Sequence, residues 1–321
     1  MSRGPEADGP GPGDTAGQSP DNTAGQGPDN AAGHAAGRRG AGEWASPVPP
    51  AGTPEVQVLI PSYGREDALA VTLAGLAAQD GPSFGVIISD QTEPGPTWEQ
   101  PSAAAMVRVL RAQGRPVRLE HHLPRRGMAE QRDFLLGLAE APLVLFLDND
   151  VWLEPGMLAR LTAALREAGC GFVGSAVQGL SYLDDVRPDE QRPFELWDGP
   201  VQPERIRRSD EAFVRWTLHN AANLAHIAAR LRIPSGSPRL YRVAWVGGCV
   251  LFDRQALLDC GGFAFWKDLP AAHAGEDVVA QLRVMERYGG AGLIPSGAVH
   301  LEAPTTVTDR STEASEVMLD P

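Results

Sequence analysis

Cysteine is scarce: Cys170, Cys249 and Cys260 are the three in 321 residues. Three thiols cannot all pair with one another and lack the spacing of a zinc site, so a disulfide scaffold and a zinc module are both excluded. Long apolar runs are missing too. No stretch of about 18 apolar residues occurs, so no helix is expected to span a bilayer. The first residues carry no apolar core of the kind that marks a secretory signal. Basic charge is short as well, with 28 Lys and Arg against 41 Asp and Glu for a net charge of −13. A nucleic-acid binder needs basic surface to meet phosphates, so that class is set aside. What is there reads as a soluble globular chain: 42% apolar and 21% charged residues, with length enough for a sizeable core. The expected compartment is the reducing cytoplasm, with the inner membrane face as a peripheral location.

Residues 1–53 hold 12 Gly and 8 Pro and repeat an eight-residue unit: GPGDTAGQ, SPDNTAGQ, GPDNAAGH. Such a segment buries too little surface to offset its ordering entropy and is expected to be a disordered tail. Residues 305–321 are expected to be a second flexible tail. Between them, short apolar runs alternate with helical periodicity. VQVLI from Val56, GVIIS from Gly85, VRLEH from Val117, LVLFL from Leu143 and GFVGSA from Gly171 read as strands. Leu69, Leu73 and Leu76 mark one helix face, Met128 to Glu140 a second helix, and Met157, Leu158, Leu161 and Leu165 the stripe of a third. The fold class is α/β, with a mostly parallel sheet flanked by helices. Such sheets bind ligands outside the carboxyl ends of their strands. Residues 178–242 break the pattern, with a helix expected from Asp210 to Leu231. VAWVGGCVLF reads as a strand with a glycine pair, and a last helix starts near Gly275. The division is 54–177 and 178–304.

The sharpest feature is LVLFLDND. Asp148 and Asp150 leave a buried strand two residues apart, where both can reach one hard cation such as Mg²⁺ or Mn²⁺. Asp-Asn-Asp is also good turn chemistry. Glu276 and Asp277 open the helix of HAGEDVVAQLRV, where acids also complement the helix dipole. His300 follows a short apolar strand in SGAVHLE. Trp197, Trp216 and Trp245 offer flat apolar faces that either stack on a ligand ring or pack in the core. His219 and Asn220 are weaker candidates for the same pocket.

Taken together, five strings resemble family-2-type glycosyltransferases of the GT-A fold, in that family's order. They are VLIPSYGREDALAVTLAGLAAQ, IISDQTEPG, RRGMAEQRDFLLGLAEAPLVLFLDND, WVGGCVLFDRQALLDCGGF and GEDVVAQLRV. The resemblance runs from about Val56 to Pro304 except for 178–242, and departs at Asp133, where relatives carry Asn. It implies a metal-dependent hexosyltransferase that uses a nucleotide diphosphate sugar, a UDP-sugar first. Pro61, Ser62, Tyr63, Arg65, Asp90, Arg132 and Asp148 are then the nucleotide-sugar residues, with Asp90 accepting from the base. Asp148, Asp150 and His300 hold a divalent cation, Mn or Mg. Asp277 is the general base, supported by Glu276, in an inverting transfer to an acceptor hydroxyl. The acceptor is a saccharide, a lipid-linked molecule or a small molecule. A helix start favours ionised Asp277, which leaves it a weak base unless the bound donor strips it of water. The alternatives are a Mg-dependent phosphatase, a nucleotidyltransferase, or a nucleotide-sugar-binding relative without activity.

Overall fold

The computed structural model describes residues 41–46, 48–49 and 52–319. The repeats of the N-terminal tail lie outside the described residues. In chain order the regular elements begin with β1 (Val56–Ser62), α1 (Glu66–Ala77), β2 (Phe84–Asp90), α2 (Pro101–Ala112), β3 (Val117–His121), α3 (Met128–Leu138) and β4 (Leu143–Leu147). They continue with β5 (Val151–Leu153), α4 (Met157–Ala168), β6 (Phe172–Gly174), β7 (Val177–Gly179), α5 (Asn223–Leu231), β8 (Arg239–Tyr241) and β9 (Cys249–Asp253). The last are α6 (Arg254–Asp259), α7 (Glu276–Tyr288), β10 (Gly290–Ile294), β11 (Ala298–His300) and α8 (Ala314–Met318).

Eight strands form one sheet in the order β3-β2-β1-β4-β9-β6-β10-β8. β9 and β8 run against the other six, so the sheet is mostly parallel, as expected. Its central strands are apolar throughout because both faces are covered: Val58, Ile60, Leu145, Leu147 and Leu251 pack to one side and Leu59, Val144, Phe146 and Phe252 to the other. Leu69, Leu73 and Leu76 bury the predicted face of α1. A small second sheet, β5-β11-β7, stands beside the end of β4. It sets His300 opposite Val151, next to the acid turn.

Three expectations need correction. The helix predicted over 210–231 is a 3-10 helix, Glu211–His219, followed by α5. Ala221 between them takes a left-handed backbone, φ 50°, that no helix can carry. Of VAWVGGCVLF, only Cys249 onward is strand, because Gly248 at φ 75° turns the chain. The residues after Pro304, expected as a flexible tail, carry structure as far as Leu319. Ala274 N–H donates to Thr312 O at 3.0 Å and Ala314 N–H to Ala274 O at 2.8 Å. These bonds seat α8 against α7 with Ala314 and Ser315 buried.

Candidate active site

β4 pairs with β1 only as far as Leu59–Phe146. Past that point β1 continues through Pro61 and Ser62 while the chain after β4 turns away as Asp148–Asn149–Asp150. Pro61, with no N–H to give, is tolerated because it lies past the last β4 partner. Asn149 is buried and stitches the gap: its Nδ2 donates to Ser62 Oγ at 3.2 Å and to Gly64 O at 3.4 Å. Gln131 of α3 does the same across β1 and β2, donating to Ser62 O at 3.1 Å and Ser89 O at 2.7 Å. Neither was singled out from sequence. Asn149 sat inside the acid motif and could have been asked what its amide holds.

The gap opens into a cavity of about 460 Å³. Pro61, Ser62, Tyr63, Arg65, Arg132, Asp148, Asp150, Glu276, Asp277 and His300 all line it. They come from β1, α3, the turn after β4, the start of α7 and β11, so residues more than 200 positions apart converge. Asp90 is not among them. It is fully buried, and its two oxygens accept from Thr92 N–H at 2.7 Å, from Thr97 N–H at 3.1 Å and from the Thr97 hydroxyl. In this geometry it shapes the 91–97 loop from behind the cavity wall.

Arg132 joins the two acid groups. Its Nε donates to Glu276 Oε1 at 2.8 Å and its Nη2 to Asp148 Oδ1 at 3.1 Å. Burial opposes a charge on Arg132, but Asp148, Glu276 and Asp277 outweigh it and hold the guanidinium above its usual range. Arg132, expected among the nucleotide residues, lines the cavity with its guanidinium bonded to these two carboxylates. Asp133, the departure in this motif, accepts from Trp266 Nε1 at 3.0 Å and ties α3 to the 264–268 turn. Arg65 Nη1 lies 2.5 Å from Asp150 Oδ2. Its left-handed backbone, φ 63°, is unusual for a residue with a side chain and accompanies its side-chain bonds to Asp150 and Pro304 O.

Asp277 is half-buried. Burial first, then Glu276, push its carboxyl up to about 7, against Arg132 and the helix start. The ionised weak base expected from sequence is therefore corrected: desolvation wins over the dipole. Burial also raises Asp148 against the pull of Arg132. His300, with Nε2 3.3 Å from Asp150 Oδ2, is raised by its hydrogen bond to that carboxylate.

Two carboxylates and an imidazole at one corner suit a hard divalent cation by donor chemistry. The buried Asp150 is already paired with the Arg65 guanidinium. Among the described residues, however, no three His, Cys, Asp or Glu side chains stand close enough together to hold an ion. Asp148 is turned to Arg132 and Asp150 to Arg65.

Of the tryptophans, Trp245 lines the cavity. Trp197 is in the core under Arg242, 3.8 Å from the ring centroid, and borders a separate open trough of about 850 Å³ that shares no residue with the site. Trp216 is exposed on the 3-10 helix. His219 does not reach the cavity. Its Nε2 meets Tyr241 Oη at 2.9 Å, burial pushes it down to about 4, and its ring backs Trp245 edge-on at 6.2 Å. Asn220 donates to Glu190 at 3.2 Å. The loop of Trp245 is fastened twice. Gly248 O accepts from Asp148 N–H at 2.9 Å, and Val246 is held at both its N–H and its C=O by Gln281 of α7.

The family model described as glycosyl transferase family 2 matches residues 57–242. It runs through 178–242, where no motif could be carried over, and stops short of Glu276, Asp277 and His300. No curated protein matches. Similar solved structures include residues 1–349 of TarS from S. aureus, at 16% identity and a TM-score of 0.48, covering 76% of this chain and 59% of that one. The same protein in complex with UDP-GlcNAc gives 16%, 0.47, 79% and 60%. The mannosyltransferase PcManGT from Pyrobaculum calidifontis, in complex with GDP-Man and Mn²⁺, gives 17%, 0.48, 83% and 64%. The chain thus spans about three fifths of these structures' length. Among the described residues no helix is long and apolar enough to cross a membrane. The family model covers more than half of the sequence, from β1 through β8, and on that match the chain belongs to glycosyl transferase family 2.

Proposed function

We propose that this chain transfers a hexose from a nucleoside diphosphate sugar to an acceptor hydroxyl with inversion, in the cavity between the acid turn and the start of α7. One observation carries the reading: Arg132 bonds Asp148 with one nitrogen and Glu276 with another, so the acids of both motifs face one space. The family's activity supports glycosyl transfer as such.

Asp148, Asp150 and His300 are the residues that would hold a divalent cation. When bound it would supply a Lewis acid that neutralises the departing diphosphate. The cavity needs that charge, since Asp148, Asp150, Glu276, Asp277 and Glu313 all line it against three arginines. Pro61, Ser62 and Tyr63 line the nucleotide side, with Asp90 fixing the loop behind them. Asp277 takes the acceptor's proton as its oxygen attacks the anomeric carbon. With its carboxyl pushed up to about 7, it is both partly ionised and basic enough at neutral pH. Glu276 is held by Arg132 and steadies the helix start. Trp245 offers the acceptor an apolar face beside Asp277. Three unpaired cysteines support the cytoplasm as the compartment.

The test is a panel of nucleotide sugars with Mn²⁺ or Mg²⁺, followed by nucleoside diphosphate release. Turnover of at least one donor, lost on chelation, is the expected result. Binding and release of none, with or without metal, would overturn the reading.

A further inference from the structure

The residues after Pro304 form one wall of the site. Arg65 donates from Nε at 3.0 Å and from Nη2 at 2.7 Å to Pro304 O. Arg125, stacked 3.9 Å over the Tyr63 ring, donates to Thr306 O at 3.4 Å. At the other end, the Ala274 bonds to Thr312 and Ala314 fasten the segment to the start of α7. Between these anchors the segment brings Thr305, Val307 and Arg310 to the same cavity as Asp148 and Asp277.

The three arginines of that cavity differ in what they hold. Arg65 is ion-paired with Asp150 at 2.5 Å, and Arg132 with Asp148 at 3.1 Å and Glu276 at 2.8 Å. The Arg310 guanidinium has no hydrogen-bond or ion-pair partner among the described residues. A donor diphosphate brings oxygens that accept charge-assisted hydrogen bonds, and a guanidinium matches them in pairs. The cavity otherwise offers it mostly carboxylates.

We propose that Arg310 binds the phosphates of the nucleoside diphosphate, delivered to the site by the 303–313 segment. The inference rests on the donor reading above. It assigns a ligand contact to a part of the chain that lies outside the family match and was expected to be a tail.

The test compares wild type, Arg310→Gln, Arg310→Lys and, as a surface-charge control outside the cavity, Arg126→Gln. UDP and GDP are titrated calorimetrically with Mg²⁺, and uridine and guanosine by competition against the better of the two. Arg310→Gln is expected to weaken the better diphosphate roughly 10-fold to 100-fold, the range of a charged hydrogen bond, and to leave its nucleoside unchanged. Arg310→Lys should retain part of the affinity, and Arg126→Gln all of it. Unchanged diphosphate binding in Arg310→Gln overturns the proposal. So does an equal loss for the nucleoside, which would mean a wall that has shifted, or an equal loss in Arg126→Gln, which would mean general surface charge. Wild type that binds neither diphosphate overturns the donor reading and this inference together. Diphosphate binding through Arg310 without sugar transfer would leave this inference standing alone.

Discussion

Gln281 holds Val246 by both of its backbone groups: Val246 N–H donates to Gln281 Oε1 and Gln281 Nε2 donates to Val246 O, each at 2.8 Å. Gln281 is fully buried and one helical turn beyond Asp277, so the bond pair locks the Trp245 loop to the helix that carries the proposed base. Gln281→Met keeps the volume and strands both backbone groups. Each stranded group costs roughly 1–3 kcal/mol. Urea unfolding should show a loss of about 2–5 kcal/mol, against less than about 0.5 kcal/mol for Gln255→Met at the exposed face of α6. Equal losses would mean that the clamp contributes nothing of its own.

Arg132 is a bridge that lysine cannot replace, because one ammonium cannot span Asp148 and Glu276 with fixed fork geometry. Arg132→Met leaves the buried Glu276 and the half-buried Asp148 without their cation, and losing the partner of a buried acid is worth roughly 3–5 kcal/mol, less where water reaches it. The loss should be larger at pH 8 than at pH 5, since protonation relieves the unpaired acids. A melting-temperature deficit that is the same at both pH values would contradict the bridge.

Asp277 ties stability to pH in a definite direction. Its folded carboxyl is pushed up to about 7, while an unfolded one titrates near 3.9. Between these values the folded chain keeps a proton that the unfolded chain has lost, so this group's contribution to stability falls as pH rises from about 4 to 7. Asp277→Asn removes that loss. Its melting temperature relative to wild type should be higher at pH 8 than at pH 5. The same carboxyl gives kcat/KM a rising limb below pH 7, about tenfold per unit, that levels above it. A flat profile from pH 5 to 8 would count against Asp277 as the base.

The proposed cation corner predicts a metal-dependent stabilisation. Saturating Mn²⁺ binding only the folded chain adds RT ln(1 + [L]/Kd), roughly 2.7 kcal/mol at a hundredfold excess over Kd. The rise in melting temperature should be strongly reduced in Asp150→Asn and His300→Gln. An undiminished rise in both would place the ion elsewhere.

Sequence periodicity was enough for β1 to β4, β6, α1, α3 and α4, because their apolar patterns are set by burial against a two-faced sheet, whereas α2 and the three-residue β5 were not read from it. Leu69, Leu73 and Leu76 went where their spacing put them. The acid turn and the Glu-Asp helix start were legible as motifs, and the topology brings both to one cavity. Burial and long-range partners were not legible. No local pattern says that Thr97 donates both its N–H and its hydroxyl to Asp90, that Arg132 spends its charge on Glu276 144 residues away, or that Asp277 loses enough water to titrate near neutrality. The stretch after Pro304 misled for a related reason. Its polar composition resembles a tail, and its order comes from backbone bonds with Ala274 and from the Arg65 side chain donating to Pro304 O, which composition does not record.

One shared site for donor and base is tested most directly by Asp277→Asn, assayed with whichever donor of the panel turns over. The variant should fold, bind that donor within about threefold of wild type, and transfer its sugar roughly 10²–10⁴-fold more slowly, the range of a lost general base. Near-native transfer by the variant would contradict it.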